Sequence, residues 1–209
     1  MPDLRLIIAN KRFSSWSFRP WLALKQAGLP FEEVLVPLAA PDFAARVGSP
    51  TAKVPVLFDG DLCVHESLAI CEYIAELSPG LWPADRADRA RARAISAEMH
   101  AGFAHLRQHC SNDLLISVPN HAVDARTRAD ITRVDALIAE AIGRSGGPFL
   151  FGAFSIADAM YAPVACRFRT YHLPASAPTR AWMETVLDLP ASRSWYADAQ
   201  LEADWGDHP

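Results

Sequence analysis

Ser14, Ser15, Ser17 and Arg19 bring three hydroxyls and one cation close together near the start of the chain. If a helix begins there, its unpaired N–H groups and its dipole attract an anion. The hydroxyls then have two uses: they cap the helix, or they donate to a bound thiolate. No cysteine precedes Cys63, so disulfide exchange by a thiol of the protein's own is not expected at this helix. Two further pairs carry chemistry by position. Val54-Pro55 lies at the start of a strand-like run, where proline is confined to edges, ends and kinks. Glu66-Ser67 closes the next such run: Ser67 can cap the following helix, and the pair with the first helical N–H groups can hold an amino-acid-like zwitterion. His105 and His109, with His100 on the same helical stretch, have the i, i+4 spacing of metal ligands. H-E-x-x-H is absent and no third ligand is evident, so no metal is expected.

The elements that must position these residues follow from apolar periodicity. Residues 4–9 read as a strand, and residues 16–27 as an amphipathic helix stopped by Gly28, with Pro20 placed in its first turn. Residues 31–36 form a second strand between Pro30 and Pro37, completing a βαβ unit. A short helical piece covers residues 41–47. Residues 54–58 and 62–64 flank Asp59-Gly60, which predicts an antiparallel hairpin, and residues 67–77 form the next helix. The order βαβ-ββα puts the start of the first helix at the carboxyl edge of the sheet.

Pro79-Gly80 and Pro83 then interrupt the chain, and strand signals cease. A boundary near residue 82 is expected, with an α/β unit at 1–80 and an all-α helical bundle at 85–209. The bundle should hold one long helix over residues 85–115, another over 124–142 ended by Ser145-Gly146-Gly147, and three more over 155–166, 179–187 and 192–201.

The chain has 209 residues, about half of them hydrophobic, and a formal net charge of −4. That is the profile of a packed globule with no electrostatic reason to bind nucleic acid or anionic lipid. The apolar run at residues 6–9 is too short for a signal peptide or a membrane span, so no export and no membrane are expected. Cys63, Cys71, Cys110 and Cys166 show neither C-x-x-C nor regular spacing. Free thiols in the cytoplasm are expected, with Cys63 read as a small buried hydrophobe or a redox site.

Together these motifs resemble the glutathione transferase family. Lys53-Val54-Pro55-Val56-Leu57 followed by Glu66-Ser67-Leu68-Ala69-Ile70 is similar to that family's cis-proline strand and γ-glutamyl-binding junction, in spacing as well as in letters. The resemblance implies a thioredoxin-like N-terminal fold with a helical C-terminal bundle, and glutathione as co-substrate. It implies that Val54 exchanges backbone hydrogen bonds with the cysteinyl part, that Pro55 is cis, that Glu66 and Ser67 hold the γ-glutamyl end, and that Lys53 lies near the glycyl or backbone end. Gly152-Ala153-Phe154-Ser155-Ile156-Ala157-Asp158 looks like the family's buried capping motif, with Ser155 and Asp158 at the start of a central helix.

Ser14-Ser15-x-Ser17-x-Arg19 is similar to the serine motif of zeta-class members, maleylacetoacetate isomerase included, which assigns the thiol-activating hydroxyl to Ser14 with Ser15 as rival. Trp16 stands where that class has cysteine. The helix bearing Phe103, Leu106, His109 and Cys110 faces the cleft in the family, so these side chains either line the electrophile pocket or pack the core. Trp16, Phe18 and Trp21 are open to the same two readings. The expected function is activation of the glutathione thiol for attack on a small apolar electrophile by a homodimer, in detoxification. The alternatives are a zeta-like isomerase and a non-catalytic binding or scaffold protein.

Overall fold

The computed structural model describes residues 3–202. The outer ends of the two predicted units, residues 1–2 and 203–209, lie outside the described residues. The first part runs β1 (Leu4–Ile8), α1 (Ser15–Ala27), β2 (Glu32–Leu35), α2 (Phe43–Val47), β3 (Val56–Asp59), β4 (Leu62–His65) and α3 (Ser67–Leu77). The strands form one sheet ordered β2-β1-β3-β4, with β1 parallel to β2 and antiparallel to β3. Alternation along β1 sorts its side chains between two apolar layers: Leu6 and Ile8 enter the main core, while Ile7 joins Val36, Val47 and Val56 on the opposite face. α1 and α3 cover the main-core face. This is the expected thioredoxin-like arrangement.

The remainder is helical: α4 (Arg86–Ala101), α5 (Ala104–His109), α6 (Ala125–Ser145), α7 (Ile156–Thr170), α8 (Ala177–Asp188) and α9 (Pro190–Leu201). α7 is buried at every position except Arg169 and packs against α1, α4 and α8, so one apolar cluster runs through both halves. Among the described residues no helix is long and apolar enough to cross a membrane.

Four departures from the sequence reading have a local physical cause. The helix expected over 85–115 breaks after α4, because Gly102 is extended and Phe103 is left-handed at φ 57°. A Cβ at Gly102 would stand 2.7 Å from the carbonyl oxygen of Glu98, so only glycine fits the break. Strand β3 starts at Val56 rather than 54, since Pro55 has no N–H to give a ladder. The hairpin loop is Gly60-Asp61, one residue later than expected, with Asp59 paired to Leu62. Pro20 lies in the second turn of α1, not the first, and leaves the Trp16 carbonyl without its usual i+4 donor.

Candidate functional site

A cavity of about 210 Å³ opens where the start of α1, the segment ahead of β3 and the β4-α3 junction converge. Its walls are Trp16, Thr51, Lys53, Val54, Pro55, Glu66 and Ser67. All five residues assigned to binding from the sequence are therefore together in one place. Ser14 and Ser15 stand outside this lining, next to Trp16 in the chain. Val54-Pro55 is cis, as the resemblance implied. A second cis bond, Gly147-Pro148, had no sequence signal.

The junction is shaped by Glu66, whose φ of 70° and ψ of 123° are sparsely populated for an L-residue. Such a conformation costs about 1–3 kcal/mol and persists where the surroundings enforce it. It turns the chain from β4 into α3. The Glu66 carboxylate makes no capping bond, so it leaves the first N–H groups of α3 uncovered on that side. Ser67 is buried, and its Oγ accepts from Arg19 Nη1 at 3.3 Å, which keeps the hydroxyl proton available for an incoming acceptor.

Ser14 is the N-cap of α1, so its hydroxyl takes the capping role. Its Oγ accepts from the Ser17 N–H at 3.3 Å, and its hydroxyl lies 2.7 Å from Ser17 Oγ. Ser17 Oγ in turn accepts from the Ala9 N–H at 3.3 Å, tying the pair to the end of β1. The intervening loop is pinned from below: Asn10 takes the N–H groups of Phe13 and Ser14 on its carbonyl, and Trp195 on α9 donates to the Lys11 carbonyl at 3.0 Å. Ser15 faces the helical half, where its Oγ accepts from Arg167 Nη2 at 3.2 Å.

Three guanidinium groups stand behind this wall. Arg19 is buried and stacks over the Trp16 ring at 4.2 Å, with Arg107 over the same ring at 5.5 Å. Burial, reinforced by the charges of Arg107 and Arg167 and opposed by Cys71, pushes Arg19 down to about 9, so it remains cationic at neutral pH. Arg167, also buried and lowered to about 10, donates to the Cys110 carbonyl. Cys71 beneath Arg19 is pushed up to about 12 by its own burial and stays a neutral thiol.

His100 is the residue that sequence reasoning placed with the wrong partners. Set on the same helical stretch as His105 and His109, it instead reaches the cavity wall: Nε2 lies 3.4 Å from Glu66 Oε2, and its ring meets Trp16 edge-on at 5.5 Å. Burial, with the Arg19 and Arg107 charges, lowers its pKa against the pull of Glu66. Neutral His100 leaves the Glu66 charge free for a cation. The side chains proposed for an electrophile pocket resolve toward packing: Phe103, Leu106 and Cys110 are core residues and His109 is exposed. Phe18 and Trp21 likewise pack on Trp195, while Trp16 alone of that group faces the cavity.

The family models "Glutathione S-transferase, N-terminal domain" and "Glutathione S-transferase, C-terminal domain" match residues 13–77 and 86–198. The maleylacetoacetate isomerase of Rhizobium meliloti is 43% identical over 91 residues, which is 40% of this chain and 41% of that protein. A probable maleylacetoacetate isomerase of Caenorhabditis elegans is 36% identical over 97 residues, 44% of this chain and 45% of that protein. These matches span less than half the length of either relative. Among solved structures, a glutathione transferase homologue from a Burkholderia, with bound glutathione, has TM-score 0.73 at 22% identity and covers 97% of this chain and 100% of its own. A theta-class glutathione S-transferase from Xanthomonas axonopodis pv. citri, also with glutathione bound, has TM-score 0.67 at 25% identity over 94% of this chain and 98% of its own. The likeness to the Burkholderia protein is one of fold; the two family models together run through most of both halves, and the chain belongs to the glutathione S-transferase family.

Proposed function

We propose that the cavity binds glutathione and that Ser14 stabilises its thiolate for attack on a small apolar electrophile. The observation that carries this reading is the convergence of Lys53, Val54, Pro55, Glu66 and Ser67 on one cavity. Their charges match the tripeptide. The γ-glutamyl ammonium pairs with Glu66, and its carboxylate takes the Ser67 hydroxyl and the first N–H groups of α3, backed by the Arg19 charge. The Val54 backbone, ahead of the paired part of β3, is open to the cysteinyl peptide group, and Lys53 meets the glycyl carboxylate. The sulfur then points toward the start of α1. The thiolate electron pair forms a carbon–sulfur bond as the electrophile expels its leaving group or, where it adds across a double bond, takes up a proton from water, and Trp16 supplies an apolar wall for it.

Calorimetry with glutathione tests the site itself. Ser67→Ala removes one hydrogen bond to a carboxylate, about 1.5–3 kcal/mol, so the Kd should rise about tenfold or more. An unchanged Kd would place glutathione elsewhere. Turnover with a panel of electrophiles, hydroperoxides and maleylacetoacetate separates conjugation from peroxide reduction, from the isomerisation named in the relatives, and from a binding module without catalysis.

We further propose a cytoplasmic homodimer acting in detoxification. Four free thiols are consistent with a reducing compartment. An apolar cleft between α4 and α6, lined by Ile95, Leu137, Ala141 and Phe151 and rimmed by Arg91, Glu98, Arg133 and Glu140, has the mixed character of a self-complementary interface. Light scattering should give twice the chain mass of 22.9 kDa. A mass of one chain across micromolar concentrations would refute the dimer.

A further inference from the structure

We propose that His105, His109 and Asp124 form a binding site for a borderline divalent metal ion such as zinc, clamping the two ends of the connector between α5 and α6. His105 and His109 share one face of α5, and Asp124 is the N-cap of α6. One ligand atom from each lies within 4.8 Å of the others, and His109 Nε2 stands 3.9 Å from Asp124 Oδ2. Ligand atoms around a tetrahedral zinc are roughly 3.3 Å apart, given bonds of about 2.0–2.1 Å. Side-chain rotation at this accessible surface closes the difference without moving either helix.

On two of the three ligands the atom not offered to the metal is already engaged. His109 Nδ1 is 3.0 Å from the His105 carbonyl, which fixes the proton on Nδ1 and leaves the lone pair on Nε2. Asp124 Oδ1 accepts the Thr127 N–H at 2.7 Å, leaving Oδ2 turned to the histidines. Two imidazoles and one carboxylate favour zinc, nickel or cobalt over magnesium or calcium, and water completes the shell.

The connector between these ligands is long and irregular, the kind of segment that usually has a task. Near its start, Asn112 and Leu114 bond the Arg12 carbonyl while Asp113 holds the Arg12 guanidinium at 2.7 and 2.8 Å. Arg12 is two residues before Ser14. A metal joining His109 to Asp124 closes the loop that grips the start of α1, and lowers the entropy it has to lose.

Calorimetric titration of the full chain with zinc should show saturable one-to-one binding, together with a rise in Tm that grows with zinc concentration. His105→Ala should weaken binding at least about tenfold. Asp124→Asn should do the same while keeping the fold, because asparagine caps a helix as well as aspartate does. His121→Ala is the control: His121 reaches the His109 carbonyl at 2.8 Å and disturbs the same loop without being a ligand, so its zinc affinity should match the parent chain. No binding up to about millimolar zinc, affinity unchanged in both His105→Ala and Asp124→Asn, or equal loss in His121→Ala would each overturn the assignment.

Discussion

Replacing Ser14 by alanine is expected to raise the pKa of the bound glutathione thiol by about two units and to slow conjugation at pH 7 about 25-fold. A free thiol of this type titrates near 8.5, so about 3% is thiolate at neutral pH; lowered by about two units, roughly three quarters is. That shift requires about 2.7 kcal/mol, which one hydrogen bond to an anion, worth about 1.5–3 kcal/mol, supplies on its own. The local geometry allows it. Ser14 and Ser17 hydroxyls are 2.7 Å apart, and Ser17 Oγ already accepts the Ala9 N–H, so the Ser17 proton can swing onto Ser14 Oγ and free the Ser14 proton for sulfur.

Ser15 is the rival by a different route, since the Arg167 guanidinium bonded to its Oγ polarises its O–H. Thiolate absorbance of bound glutathione, titrated in Ser14→Ala, Ser15→Ala and Ser17→Ala, separates them. The Ser14 mechanism requires the full shift in the first, little in the second and an intermediate one in the third. Ser14→Thr, which keeps hydroxyl and cap, should titrate like the parent. A thiol pKa unmoved by either Ser14→Ala or Ser15→Ala would sink serine activation while leaving the fold intact.

What could be read from the sequence was what contiguous residues impose on their own backbone. Val54-Pro55 and Glu66-Ser67 announce themselves because proline and a strand-to-helix turn are local events, Lys53 came only with the family resemblance, and all of them reach one cavity. The unbroken apolar run from Leu6 to Ile8 likewise marks a strand, whose two faces the structure buries in separate clusters. Arg19, Arg107 and Arg167 were invisible as a group, because only the packing of α1, α5 and α7 brings them together. His100 was placed only on a helical stretch shared with His105 and His109, whereas its partners Trp16 and Glu66 are fixed by tertiary contact. Gly102 falls inside the single helix expected over 85–115, which it breaks. Its role depends on the nearness of the Glu98 carbonyl, which composition does not encode.

Asp158→Ala is expected to be the most destabilising of the substitutions considered, by about 3–5 kcal/mol. The carboxylate is fully buried at the start of α7 and accepts four bonds, each of 2.9 Å: from the N–H of Ser155, the hydroxyl of Ser155, the N–H of Leu150 and the indole of Trp182. Three segments therefore depend on one side chain: the N-terminus of α7, the turn entering it and α8. Truncation leaves four buried donors without an acceptor, each costing about 1–3 kcal/mol, offset in part because a buried charge is removed as well. Burial already pushes the Asp158 pKa up against the pull of those donors, so the offset is real. A loss of this size is a large share of the roughly 5–15 kcal/mol that holds a domain folded. Asp158→Asn divides the effect. If the native group is ionised, the amide turns its NH2 toward donors and the loss stays above about 2 kcal/mol; if it is protonated, the amide is a near substitute and little is lost. Urea denaturation followed by tryptophan fluorescence reads both variants, with Trp182 as a reporter beside the site. A cost below about 1 kcal/mol for Asp158→Ala would mean that water or repacking satisfies those donors, and that α7 does not depend on its cap.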